Sequence, residues 1–335
     1  MKILFIRRDN IGDLLCTTPA VRAARLHFPD ATIGMLVNTY NAEAVMNNPD
    51  IDRLYMYEKA KHAVGKGKLS VWRSNLDILR RVRSESYDVA IGCGSYSKRL
   101  ARYTFFTGAP KRIGYVKENM RAHWYTLPLT DREDRLHEVE RTFRLLEPLG
   151  IGGEPPPMRV VPGDGEVRRV QAILNRAARG SGPVIAFHIS SRRKENRWDV
   201  NKFIQLGERL SRDAGAVILL LWAPGSHDNV THPGDDEMAA TIVDRMEPKP
   251  VACPTTRLAE LIAALSISDF VVCCDGGAMH IAAALGKPLV VLWGSTDPAR
   301  WRPWKTKHVL VSDGTGRAEH VPVEAALEAI KSLLS

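Results

Sequence analysis

Phe270-Val-Val-Cys-Cys-Asp-Gly-Gly-Ala-Met-His-Ile-Ala-Ala-Ala-Leu285 changes its pattern within sixteen residues. An apolar, β-rich run (Phe270–Cys274) passes through Asp275 and two glycines into a helical run, Ile281–Leu285. Such a turn leaves backbone N–H groups unpaired at the positive end of a helix dipole, an anion site suited to a diphosphate. The chain begins with a second strand–loop–helix: Ile3–Ile6, then Arg7-Arg-Asp-Asn-Ile-Gly-Asp13. That loop offers carboxylates rather than a phosphate cradle. Two such units in two halves predict a donor nucleotide on one side and an acceptor on the other.

Working outward, both halves alternate short β-rich runs with helical patterns, which predicts parallel sheets covered by helices. In the first half the strands read as Lys2–Ile6, Thr32–Val37, Arg53–Tyr57, Asp88–Gly92 and Arg112–Gly114. Its helices read as Pro19–His27, Asn41–Met46, Leu69–Arg83, Ser97–Thr104 and Leu136–Leu149. Thr18 reads as an N-cap with Pro19 at the first helical position. Gly150–Gly165, rich in Gly and Pro, marks the boundary. Beyond it the strands read as Val184–Ile189, Ala216–Leu221, Phe270–Cys274, Leu289–Trp293 and Val309–Val311. The intervening helices read as Glu166–Arg179, Val200–Ala214, Glu237–Met246, Leu258–Ser266 and Ala278–Leu285. Three segments result: an α/β domain over 1–155 carrying the expected acceptor loop, an α/β domain over 166–322 carrying the expected donor-nucleotide loop, and a helix at 323–335 packing back on the first domain. The expected architecture is α/β, two doubly wound Rossmann-like domains facing a central cleft. Open parallel sheets bind ligands at the carboxyl ends of their strands, where both singled-out loops fall.

On the diphosphate side, Gly276, Gly277 and Ala278 offer amides, and His280 on the first helical turn stands near a leaving phosphate. Asp275 would repel phosphate, so it caps the helix or binds a ribose hydroxyl. The loop after Val184–Ile189, Ser190-Ser-Arg-Arg-Lys-Glu-Asn-Arg-Trp198, adds two hydroxyls, Ser190 and Ser191, and four cations. Lys194 and Arg197 are the preferred phosphate partners, with Arg192 and Arg193 as competitors. A third loop, Gly294-Ser-Thr-Asp-Pro298, places Thr296 to close over sugar or ribose hydroxyls. The tryptophans after it read as packing rather than sugar platforms. Ala223-Pro-Gly-Ser-His-Asp-Asn229 stands where a base or ribose would rest.

On the acceptor side Asp13 is the candidate general base, a role that typically contributes ~10²–10⁴-fold. Asp9, four residues away, has the same chemistry, and helix N-capping is the competing reading of either. Arg7 and Arg8 favour the ionised form of both. Arg7, Asn10 and Gly12 complete the expected acceptor contacts.

The 335 residues are 44% apolar and 25% charged, the composition of a soluble protein with two cores. No run approaches the roughly 20 apolar residues of a membrane span. The opening four-residue apolar stretch does not read as a signal peptide. Five cysteines without metal spacing predict a reducing cytoplasm. Residues 1–155 hold 25 Lys and Arg against 18 Asp and Glu, a net of +7, and the remainder a net of +2. Basic clusters at Lys59/Lys61/Lys66/Lys68, Arg80/Arg81/Arg83, Lys98/Arg99/Arg102 and Lys111/Arg112 are either solvated faces or a field for phosphorylated or membrane-surface partners. No nucleic-acid motif accompanies them. There is no Gly-x-Gly-x-x-Gly after the first strand and no Walker-type loop, which argues against nicotinamide cofactors and P-loop phosphoryl transfer. No Asp-x-Asp pair suggests a metal-held nucleotide sugar, so no metal or cofactor is expected.

Three stretches together resemble the family 9 glycosyltransferases, the ADP-heptose:lipopolysaccharide heptosyltransferases, over nearly the whole chain. They are Ile6-Arg-Arg-Asp-Asn-Ile-Gly-Asp-Leu-Leu-Cys-Thr-Thr-Pro19, His188…Arg197-Trp198, and Asp275 through Pro288 with Gly294-Ser-Thr-Asp-Pro298. The resemblance implies a GT-B fold, donor binding in the C-terminal domain, and metal-independent inversion with Asp13 as base. It also implies ADP-heptose as donor and a phosphorylated or acidic lipopolysaccharide glycolipid as acceptor. The enzyme would then be cytoplasmic and peripheral at the inner-membrane surface. The family's diphosphate-binding lysine, two residues before the tryptophan of the second loop, is Asn196 here. Gly276 stands where the family often has threonine.

Overall fold

A computed structural model describes residues 1–58, 68–118, 124–132, 135–177, 182–226, 228 and 234–334. Lys59, Lys61 and Lys66 of the first basic cluster, and His227 and Asn229 of the loop after residue 222, lie outside the described residues. The chain divides into two compact units, Met1–Arg159 and Val160–Ser335.

The first unit holds β1 (Lys2–Arg7), β2 (Thr32–Asn38), β3 (Arg53–Tyr57), β4 (Val89–Cys93), β5 (Lys111–Val116) and β6 (Leu127–Thr130). They form one sheet in the order β3-β2-β1-β4-β5-β6, parallel throughout. The second unit repeats the plan with β7 (Val184–His188), β8 (Val217–Trp222), β9 (Val251–Pro254), β10 (Phe270–Cys274), β11 (Leu289–Leu292) and β12 (His308–Val311). Its order is β12-β11-β10-β7-β8-β9, again parallel. Each chain segment starts in the middle of its sheet, winds one way, then returns to wind the other. This is the doubly wound GT-B pair of α/β units. The reversal falls between β1 and β4 in the first sheet and between β7 and β10 in the second. The loops leaving β1 and β4 in the first unit, and those leaving β7 and β10 in the second, therefore lie where each open α/β sheet binds ligands.

Helices cover both faces, which is why the central strands read as unbroken apolar runs. Ile3, Leu4, Phe5 and Ile6 are all fully buried. The second core joins Phe187, Phe203, Leu220, Val272 and Leu292.

Several sequence expectations are corrected. β6 and β9 escaped the sequence reading because both are four-residue edge strands carrying a proline, Pro128 and Pro254, and no long apolar run. Asn41–Met46 forms only a 3-10 turn, Ala42–Ala44. The stretch 136–149 splits into an α-helix, Glu138–Phe143, and a 3-10 helix containing Pro148. The helix expected at Pro19–His27 starts one residue early, spanning Thr18–His27 with Thr17 as N-cap. The last helix, Val323–Leu334, was expected on the first unit. Its buried face (Ala326, Leu327, Ile330, Leu333) joins the core of the second unit instead, against β11 and β12. No helix among the described residues is long and apolar enough to cross a membrane.

Candidate functional site

In the first unit β1 ends on Arg7, a cation at the close of an apolar strand. Its side chain is 2% exposed and needs internal counter-charges. Arg7 Nη2 donates to Asp13 Oδ1 at 2.7 Å and to Glu138 Oε1 at 2.8 Å, while Nε lies 3.1 Å from Asp9 Oδ2. Burial works against the guanidinium charge, but Glu138, Asp13 and Asp9 together outweigh it and push its pKa above the usual arginine value. Arg7 is thus a fixed internal cation, and its expected contact with an acceptor is corrected.

Asp13 sits at the third position of a short helix, Ile11–Leu15. Its Oδ2 accepts from the Asn10 N–H at 3.0 Å, closing a capping box. The capping role and the Arg7 pairing together fix the carboxylate, whose side chain keeps 14% of its surface in contact with solvent. Asp9 is half exposed at 50% and lies beside Gly94 at the end of β4, across the sheet reversal. The loop's carbonyls are pinned from below: Asn38 and Asn41 donate to Asp9 O, and the Tyr57 hydroxyl donates to Arg8 O. Arg8 stacks over Tyr57 and Tyr103. Of the other expected acceptor residues, Asn10 is exposed and Gly12 is buried.

In the second unit Asp275 follows β10, buried and without a capping role. The helix Gly277–Ala284 has Gly276 as its N-cap. Asn196 Nδ2 donates to Asp275 Oδ2 at 3.0 Å, and the Thr296 hydroxyl donates to the same oxygen. Burial pushes the Asp275 carboxyl up, opposed by these two donors and by Arg193. The loops after β7, β10 and β11 are therefore tied through one carboxylate. Asn196, at the family's lysine position, is this tie. Gly294 must lack a side chain because a Cβ there would overlap the Asn196 amide. Gly276 differs: a Cβ would meet nothing within 4 Å, so open space lies before it.

The cations of the loop separate into two groups. Arg197 pairs with Asp235 at 2.8 Å and donates through Nε to Ser191 O, bracing the loop. Burial pushes Asp235 up, against hydrogen bonds from Ser190 and Arg197. Ser190 also accepts from Ala223 N–H, so its hydroxyl is engaged internally, and Ser191 is buried. Arg192, Arg193 and Lys194 remain exposed. Arg197, expected as a phosphate cation, is partly buried and paired with Asp235, whereas Lys194 and its neighbour Arg193 are exposed. His280, expected near the phosphate, is buried at 4% and meets the Trp301 ring edge-on at 6.1 Å. Trp293 donates to Thr296 O and steadies the third loop. His188, at the end of β7, is pushed down by burial to about 4.

Glu138 and Asp235 were missed from sequence. A cation closing an apolar strand signals a buried counter-charge, but nothing in the sequence relates residue 7 to residue 138.

Residues 76–330 match the model of glycosyltransferase family 9 (heptosyltransferase). Lipopolysaccharide heptosyltransferase 3 of Escherichia coli K12 is 24% identical over 97% of this chain and 91% of its own. Among solved structures, a family 9 glycosyltransferase from Veillonella parvula superposes with a TM-score of 0.85 at 20% identity, covering 99% of this chain and 97% of that one. The ADP-heptose lipopolysaccharide heptosyltransferase II of E. coli gives 0.77 at 20% identity, covering 100% and 98%.

Proposed function

The chain belongs to glycosyltransferase family 9, and from that premise we propose that it moves heptose from ADP-heptose to a hydroxyl of a lipopolysaccharide inner-core acceptor. The reading inverts the anomeric centre and uses no metal. The observation that carries it is the open space before Gly276 at the N-terminus of an eight-residue helix, next to β7 at the sheet reversal. The names of the relatives, lipopolysaccharide heptosyltransferase 3 and ADP-heptose heptosyltransferase II, support the donor and acceptor class.

In this mechanism the Gly276–Ala278 amides receive the donor diphosphate, with Lys194 and Arg193 as its cations. As the anomeric C–O bond breaks, the electron pair leaves with ADP and the sugar becomes oxocarbenium-like. Amides and cations stabilise the charge growing on the diphosphate. The acceptor hydroxyl attacks from the opposite face while Asp13 takes its proton. Arg7 supports the carboxylate from inside the unit. The basic excess of residues 1–155 serves an acidic or phosphorylated glycolipid at the cytoplasmic face of the inner membrane.

Mass spectrometry of truncated lipopolysaccharide acceptors incubated with protein, ADP-heptose and EDTA tests this. A heptose-sized gain is expected. Binding of ADP-heptose without any gain would contradict transfer to this acceptor class. Because Asn196 replaces the family's lysine, a panel of other nucleotide sugars belongs beside ADP-heptose, and preferential turnover of one of them would replace the donor assignment.

A further inference from the structure

We propose that the exposed face of the helix Lys98–Phe106 docks the first unit on an anionic lipid bilayer. The proposal deepens the membrane-surface reading above by naming the surface. It rests on geometry that does not involve the transfer chemistry.

The helix reads Lys-Arg-Leu-Ala-Arg-Tyr-Thr-Phe-Phe. Leu100, Ala101 and Thr104 are buried on its inner side. Lys98, Arg99, Arg102, Phe105 and Phe106 are all exposed, at spacings that share one outer face. The two adjacent phenylalanines on that face are 39% and 42% exposed. No other phenylalanine is exposed among the described residues. The aromatic end is also held in place. Phe105 meets Trp124 edge-on at 5.0 Å and Phe106 at 5.7 Å. The Arg112 guanidinium lies over the Phe105 ring, with its Nε donating to Trp124 O and a terminal nitrogen to Ala109 O.

Charge selects the occupant. Between Asp88 and Glu118 the chain carries six cations (Lys98, Arg99, Arg102, Lys111, Arg112 and Lys117) and no carboxylate. Lys111, the first residue of β5, and Lys117, just past its end, are exposed. An aromatic pair with cations on the same helix face is the pattern of an interfacial anchor: rings enter the headgroup–acyl boundary while guanidinium and ammonium groups meet anionic headgroups. Each such cation raises partitioning about fivefold near an anionic surface.

Flotation of the full chain with phosphatidylglycerol vesicles or phosphatidylcholine vesicles, with no nucleotide sugar and no acceptor, tests the proposal. Failure of transfer and failure of docking are then read separately. Wild type is expected on phosphatidylglycerol and not on phosphatidylcholine, with salt weakening the binding. Phe106→Ser, which removes a ring in aromatic contact with Phe105, is expected to lower partitioning about tenfold. The Arg99→Glu/Arg102→Glu double variant probes the same face without touching an aromatic ring and is expected to abolish binding. Leu26→Ser, at an exposed position on another helix, is expected to leave it unchanged. Equal binding to both vesicle types would overturn the proposal. So would no binding by wild type, or undiminished binding by folded Phe106→Ser and Arg99→Glu/Arg102→Glu proteins.

Discussion

Arg7 and Glu138 lie 131 residues apart in the chain and meet at 2.8 Å, with side chains 2% and 1% exposed. The pair links the end of β1 to the start of the helix Glu138–Phe143, and the same Arg7 nitrogen also holds Asp13. Removing the cation breaks a buried ion pair at Glu138, a change that typically costs ~3–5 kcal/mol. Arg7→Met is therefore expected to lower the unfolding free energy, read by urea titration at neutral pH, by that amount. A loss below about 1 kcal/mol would show that the pair contributes little to the fold.

Gly276→Ala separates stability from binding. The position is extended rather than left-handed, and an added methyl meets only open space. The melting temperature is expected to stay close to wild type, while affinity for ADP falls by about tenfold or more as the methyl obstructs the approach to the amides. Calorimetric titration reads the second quantity, and unchanged affinity would remove these amides from the donor site. Gly294→Ala is the contrasting case, because there the methyl strikes Asn196. It is expected to destabilise the unit even without ligand.

Thr296→Val deletes one donor to a buried carboxylate. Asp275 then keeps Asn196 alone among its side-chain hydrogen-bond donors, and its pKa, already raised by burial, rises further. A stability loss of ~1–3 kcal/mol is expected at neutral pH. Equal stability of the variant and the wild type would mean that Asp275 is already protonated or otherwise satisfied.

Burial pushes His188 down to about 4, against an ordinary value of 6.5. Between those values the unfolded chain binds a proton there that the folded chain does not. Stability is therefore lost as pH falls from about 6.5 to about 4, by up to ~3 kcal/mol. Asp275 and Asp235, both raised, act in the opposite sense, since the fold favours their protonated forms. The difference between wild type and His188→Gln isolates the histidine. Its unfolding free energy is expected to depend on pH in that window, and a flat difference would contradict a neutral buried imidazole.

The alternation of apolar runs and helical patterns made the two doubly wound sheets legible. Buried parallel strands such as Ile3–Ile6 and Phe270–Cys274 carry their own signal. Edge strands do not: Leu127–Thr130 and Val251–Pro254 are defined by a neighbour's backbone more than by their own side chains. The site divides the same way. Gly276 and the position of Asp13 follow from local strand–loop–helix chemistry. Arg197, Ser190 and His280 read as ligand contacts, whereas their internal partners Asp235 and Trp301 are distant in the chain or in another loop and are brought to them only by the fold. Asn196 read as a lost phosphate cation, whereas the structure makes its amide the partner of Asp275.

The most direct test of the account compares wild type with Asp13→Asn in donor binding and in heptose transfer to truncated lipopolysaccharide. The amide retains the size and one oxygen of the carboxylate but cannot take the acceptor proton. ADP-heptose affinity is expected to stay within a few-fold of wild type, while transfer falls by ~10²–10⁴. Transfer at the wild-type rate by Asp13→Asn would contradict the assignment of Asp13 as the base.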